Sequence, residues 1–283
     1  MTNQEILEKL REDMELRNFS VYTKGNYESI AKIVMKHFSK PLEEVTTGEL
    51  RNYLIGVTKE EGKSIRTANY HNSVIRFVFE VTLDKEINKK QIPMGRTGRK
   101  LPDILTRDEL KLFFSKCTDI KYKTMFMLVY GSGLRISEVC NLKIKDINSK
   151  EMRVFVKDGK GRKDRYTILS QVELNALREY YRKYQPESRD GYIFVTSSGK
   201  PELESNVRAY FREYKRNAKI EKEVSVHTLR HCFATHLIED GTSILDVKEL
   251  MGHTAIRTTM GYIHLTKYDE NVKSPLDILY GGK

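Results

Sequence analysis

Apolar residues over positions 1–92 follow a helical period. Ile6, Leu7, Leu10 and Met14 recur three or four apart, as do Tyr27, Ile30, Ala31, Val34, Met35 and Phe38, so each set falls on one face of a helix. Thr46 followed by Glu49 is a capping-box pattern opening a third helix through Leu50, Leu54 and Ile55. Ser64 caps a fourth that carries Val74, Ile75, Phe77 and Val78. The pattern predicts a small domain of four or five helices.

Residues 93–105 break the period with Pro93, Gly95, Gly98 and Pro102, which is the turn chemistry of a linker. Lys89 and Lys90 just before it, and Arg96, Arg99 and Lys100 within it, give the region its charge. They read either as contacts along a phosphate backbone or as a solvated connection. From 106 to 283 a second domain is predicted. Thr106 and Glu109 form another capping box, and helical runs follow through "TMFMLVYGSGL" and "RISEVCNL". Alternation then takes over in "MRVFVK" and "RYTIL", with the glycine-bearing turn "DGKGRKD" between them, so a β-hairpin with a basic tip is expected. A further short strand is expected at "YIFVTS", with helices from Glu202 onward. The fold class is mainly α with a small antiparallel sheet, in two domains.

Charge narrows the class of partner. Lys and Arg number 50 against 39 Asp and Glu, a formal net charge of +11, which favours a polyanion such as nucleic acid. Cys117, Cys140 and Cys232 are widely spaced and form no C-x-x-C pair, an argument against a disulfide framework or zinc ribbon and for a reducing compartment. No apolar run approaches the ~20 residues that span a bilayer, and the N-terminus has no signal-peptide core. A soluble cytoplasmic protein without membrane partners is the simplest reading.

Candidate chemistry concentrates in 225–264, which holds His227, His231, His236, His253 and His264. His227 and Arg230 are three apart and project near one another if a helix begins at Thr228, and a helix N-terminus attracts phosphate. His231 and His236 read as structural, beside the apolar Phe233, Ala234, Leu237 and Ile238, with Gly241 as a stop signal. His227 and His231 have i, i+4 spacing but lack the Glu of H-E-x-x-H, and no cysteine pair completes a zinc site. No metal is expected.

In order and approximate spacing, "GSGLRISEVCNLKIKDI", the lysine in "DGKGRKDR", "HTLRHCFATHL", "LMGHTAIRTT" and "GYIHL" resemble the tyrosine recombinases (the phage integrase family), in particular the compact Xer-like and mobile-element members. The resemblance covers nearly the whole chain, with the helical domain in the place of the family's core-binding domain. It implies six active-site residues: Arg135, Lys160, His227, Arg230, His253 and the nucleophile Tyr262. "MGH" and "YIHL" stand where Xer proteins usually read "LGH" and "YTHV", a departure that leaves the chemistry intact and leaves room for a mobile-element role.

Those residue types suit the implied reaction. Two guanidiniums clamp the oxygens of a phosphodiester and offset the charge that builds there. Tyr262 would attack phosphorus to give a 3′-phosphotyrosyl link and a free 5′-hydroxyl, with His227 as base and Lys160 as the acid for the leaving oxygen. His253 would hold the phosphate or orient the tyrosine. Arg162, Lys163 and Arg165 of the hairpin are expected to touch DNA phosphates. Glu138 either orients Arg135 through an i, i+3 ion pair or is one half of a solvated pair. The covalent link conserves the phosphoryl bond, so no cofactor, ATP or metal is implied.

The implied partners are double-stranded DNA with inverted-repeat half-sites and further copies of the chain, two per site and four in synapsis, with room for an accessory directionality factor. The implied function is site-specific recombination for integration, excision or resolution of DNA. An idle DNA-binding protein of the same fold and a type IB topoisomerase are the alternatives.

Overall fold

The computed structural model describes residues 1–98, 103–159, 163–186 and 191–262, and the chain divides into two compact units, Met1–Lys100 and Leu101–Lys283. The first unit is helical: α1 (Asn3–Leu16), α2 (Val21–His37), α3 (Thr47–Lys59) and α4 (Ile65–Phe77), the last running into a π turn at Val78–Thr82. Thr2, Ser20, Thr46 and Ser64 accept from backbone N–H groups at the four N-termini, satisfying donors that the helices leave unpaired. The core is built from the residues whose period predicted it: Ile6, Leu10, Met14, Val34, Leu50, Val74 and Ile75 are each at most 1% exposed.

The segment after α4 does not leave this unit at once. Asn72 Nδ2 and Arg76 Nη2 donate to Ile92 O at 2.8 and 2.6 Å, and Asn69 exchanges two hydrogen bonds with the backbone of Gly95. The backbone through Gly95 is therefore fastened to α4.

The second unit comprises α5 (Arg107–Lys116), α6 (Ile120–Gly131), α7 (Ile136–Cys140), β1 (Ile147–Asn148), β2 (Arg153–Gly159), β3 (Lys163–Ile168), α8 (Gln171–Tyr184), α9 (Glu204–Asn217), α10 (Val226–Glu239), α11 (Ile244–Met251) and α12 (Ile256–Met260). The strands form an antiparallel sheet in the order β1-β2-β3, with Val154 facing Thr167 and Val156 facing Arg165. Helix α6 lies at the centre of the core, with Met125, Phe126 and Leu128 fully buried.

"YIFVTS", expected as a strand, is not one. Its β-pairing consists of the isolated bridges Lys143–Tyr192 and Val195–Pro201. Its apolar run records burial, since the consecutive Ile193 and Phe194 both enter the core. Ile193 N instead bonds Leu142 O at 2.9 Å, and its carbonyl accepts from Tyr180 Oη at 3.1 Å.

Candidate active site

Two left-handed glycines end helices just ahead of two candidate residues. Gly133 follows α6 with φ +63, and Gly252 follows α11 with φ +63. A side chain at either position is strained, and both are crowded. A Cβ on Gly133 would lie 2.4 Å from Phe233 Cδ1, and one on Gly252 would lie 2.7 Å from Arg165 Cδ. Arg135 and His253 therefore leave sharp, closely packed turns.

Glu138 organises the cations. Arg135 caps α7, its backbone N–H donating to Glu138 Oε2 at 2.8 Å and its Nη1 to Oε1 at 2.6 Å. Arg165 grips the same carboxylate with Nη1 and Nη2 at 2.9 and 2.7 Å, and Arg230 Nη1 lies 3.9 Å from it. Burial alone would raise the Glu138 pKa, but the hydrogen bonds and charge of Arg165, then Arg135, outweigh it and hold the group at about 2. The i, i+3 pair foreseen with Arg135 exists and is not a solvated one.

Arg165 differs from its expected role as a DNA contact. Its side chain is 7% exposed, and its Nε donates to Leu250 O at 2.9 Å. It sits on β3 pointing into the unit, so its guanidinium is committed to the interior. Lys163 also lies in β3. Of the other expected contacts, Lys90 and Arg96 are exposed, and Lys89 is ion-paired with Glu80 at 2.8 Å. Arg99, Lys100 and Arg162 lie outside the described residues, as does Lys160.

Helix α10 begins at Val226, earlier than expected. It carries Arg230, 1% exposed, into the centre of the site, where its guanidinium donates to Gly133 O and Met251 O. Burial and then Arg135 pull its pKa down to about 9. Arg230 is thus still a cation at neutral pH.

His253 Nε2 lies 3.4 Å from Arg230 Nη2, and its Nδ1 lies 2.9 Å from Thr259 Oγ1. A guanidinium only donates, so Nε2 accepts and the ring proton belongs on Nδ1, donated to Thr259. Burial, then Arg230, Arg135 and Arg165, lower the His253 pKa to about 4, which keeps the ring neutral. Its ring stacks with that of Tyr262 at 6.2 Å between centroids.

Tyr262 is 6% exposed and packs with Phe233, Ala234, Val247 and Met251. Burial raises its pKa, and Arg230 and Arg135 oppose that rise. Its phenol oxygen lies 3.0 Å from Nδ1 of His231, a residue expected to be scaffold. His227 is exposed and meets the His231 ring edge-on at 4.6 Å. Arg135, Arg230, His253 and Tyr262 therefore share one site, with His227 at its edge. Sequence reasoning missed His231 and Arg165 as members. The signal for His231 was its i, i+4 spacing from His227, weighed only as a metal pair. His236 is buried and bonds Tyr130 Oη at 3.0 Å, the structural role expected of it.

Residues 102–268 match the model of the phage integrase family, and residues 6–89 match that of its N-terminal SAM-like domain. The tyrosine recombinase XerA of Pyrococcus horikoshii is 32% identical over 270 residues, covering 94% of this chain and 91% of the relative. A tyrosine recombinase of Thermosipho africanus is 32% identical over 267 residues, covering 90% and 93%. The crystal structure of the XerH site-specific recombinase bound to palindromic difH substrate, a post-cleavage complex, superposes with a TM-score of 0.75 at 22% identity, covering 90% of this chain and 80% of that one. That likeness is one of fold.

Proposed function

The chain belongs to the phage integrase family of tyrosine recombinases, and on that premise we propose that Tyr262 is the nucleophile with which it cuts and rejoins DNA in site-specific recombination. The observation that carries the assignment is the seating of Tyr262 against His253 and His231, beside the guanidiniums of Arg135 and Arg230. Attack on phosphorus gives a 3′-phosphotyrosyl link, and the strand is resealed when a 5′-hydroxyl reverses it. Arg135 and Arg230 hold the non-bridging oxygens, and removing either guanidinium lowers cleavage by roughly 10²–10³-fold, the usual loss for one donor to a developing oxyanion. Lys160 supplies the proton for the departing 5′-oxygen.

The partner is double-stranded DNA with inverted-repeat half-sites, bound by two copies of the chain and synapsed by four. Residues 1–92 serve as the core-binding domain, and Lys89, Lys90, Arg96, Arg99, Lys100, Arg162 and Lys163 contact the backbone. Binding weakens steeply with salt as these contacts release counterions. Neither an idle DNA-binding protein nor a type IB topoisomerase is favoured by the family and its relatives. Among the described residues no helix is long and apolar enough to cross a membrane, and we place the protein in the cytoplasm with its DNA.

The test is a nicked suicide duplex, selected from a random-sequence pool by binding to the full chain. The wild type becomes covalently attached through Tyr262 and Tyr262→Phe does not. A wild type that forms no adduct on any selected site overturns the assignment.

A further inference from the structure

The base that deprotonates the nucleophile has two candidates one helical turn apart on α10. His227 is exposed, and its ring reaches the site through an edge-on contact with His231. His231 touches the reacting atom itself, with Nδ1 at 3.0 Å from Tyr262 Oη, which is the distance a proton transfer requires. We propose that His231 is the catalytic base of strand cleavage, its Nδ1 taking the phenol proton of Tyr262 as the phenol oxygen bonds to phosphorus. The proposal rests on the reading of Tyr262 as nucleophile.

Geometry and chemistry agree on the direction of this bond. Burial favours the un-ionised phenol, and a neutral phenol donates more readily than it accepts, so its proton points at the Nδ1 lone pair. That fixes the remaining ring proton of His231 on Nε2. Among the described residues, the charged and titratable groups that face His231 are His227 and Arg230 from its own helix, and Tyr262 and His253 from the segment after α11. Burial and then the neighbouring cations hold its pKa near about 4, so without DNA the ring is neutral and the proton stays on the tyrosine. A phosphodiester anion arriving at Arg135 and Arg230 offsets that positive field and makes His231 a stronger base. Deprotonation is thereby coupled to the presence of the strand to be cut.

The step balances. The O–H bond of Tyr262 breaks, its proton forms the His231 imidazolium, the phenol oxygen bonds to phosphorus, and the bond from phosphorus to the 5′-oxygen breaks. That oxygen takes a proton from the acid, the role given to Lys160. Resealing reverses each transfer, and the imidazolium returns its proton to the departing phenolate.

The experiment uses the full chain and the selected nicked suicide duplex, made with either oxygen or sulfur at the bridging 5′ position. A thiolate leaves without help from an acid. His231→Gln is expected to slow adduct formation roughly 10²–10⁴-fold, the range for a general base, on both duplexes, while sulfur rescues Lys160→Ala. Placing trifluorotyrosine at position 262 lowers the phenol pKa into the neutral range. It should bring His231→Gln to within about tenfold of the wild type carrying the same residue, since the phenol no longer needs a base. A merely structural role for His231 would not be rescued in this way, so a deficit that persists with trifluorotyrosine overturns the proposal. So does wild-type cleavage by His231→Gln, or rescue that appears in His227→Gln instead. Failure of the wild type to form any adduct, or attachment at another residue, overturns the nucleophile assignment itself and is distinguishable from all of these.

Discussion

Glu138 and Arg165 face each other through two hydrogen bonds, at 2.9 and 2.7 Å, with both side chains less than a tenth exposed. The same carboxylate meets Arg135 and lies near Arg230. One anion therefore holds three guanidiniums in register, and two positive charges remain uncompensated for a phosphate. Without Glu138 the arginines would repel one another in a medium that screens poorly.

Glu138→Gln keeps the shape and removes the charge. Breaking a buried pair from one side strands the other charge, at a cost of about 3–5 kcal/mol. The urea midpoint should fall accordingly, and adduct formation should be lost even where the variant is folded. A midpoint within experimental error of wild type would show that solvent, and not Glu138, balances these cations.

Gly133→Ala tests the turn ahead of Arg135. Left-handed backbone costs a non-glycine residue roughly 1–2 kcal/mol, and the contact with Phe233 adds about 1–3 kcal/mol of overpacking. In a Phe233→Leu background, only the packing share of the penalty should be recovered. Full recovery there would mean that the backbone conformation carries no strain.

Thr259→Val removes the acceptor of His253 Nδ1 while preserving volume. The buried N–H loses its partner, at about 1–3 kcal/mol, and the segment carrying Tyr262 loses its tie to the histidine. Adduct formation should fall at least about tenfold, the equivalent of ~1.4 kcal/mol, and Thr259→Ser should restore it. Equal rates for the valine and serine variants would remove the tie from the mechanism.

Stability should fall as the pH is lowered from 7 to 4.5. His231 and His253 are both lowered from 6.5 to about 4 in the folded chain, so the unfolded chain takes up protons first. Their contribution is complete above pH 6.5 and is lost progressively toward pH 4. Glu138, held at about 2, loses its contribution only below its ordinary 4.5. Glu173, whose pKa burial raises, works in the opposite sense. Urea midpoints across this range should slope downward, and His231→Gln should flatten the slope. A slope unchanged in that variant would contradict the assigned cause.

The helical frame was legible because capping boxes and apolar spacing are local signals. Thr2, Thr46 and Thr106 each close such a box, and only the first of these went unread. What stayed hidden was long-range pairing. Arg165 looks like any cation of a basic hairpin until the fold brings Glu138 to it from 27 residues away. His231 faces Tyr262 across 31 residues, and no periodicity reports which side chain a buried ring will meet. "YIFVTS" failed for the related reason that a short apolar run reports burial, and a strand also requires a neighbouring strand to pair with.

Arg230 donates to Gly133 O and Met251 O, carbonyls that belong to the two turns delivering Arg135 and His253. A free arginine on a protein surface gives up about 2 kcal/mol of rotamer freedom when it settles on a ligand. Here that freedom is surrendered when the chain folds, long before DNA arrives. Capture of the scissile phosphate is then closer to the docking of rigid bodies than to the freezing of a mobile arm, and the entropy cost of organising the clamp is charged to folding.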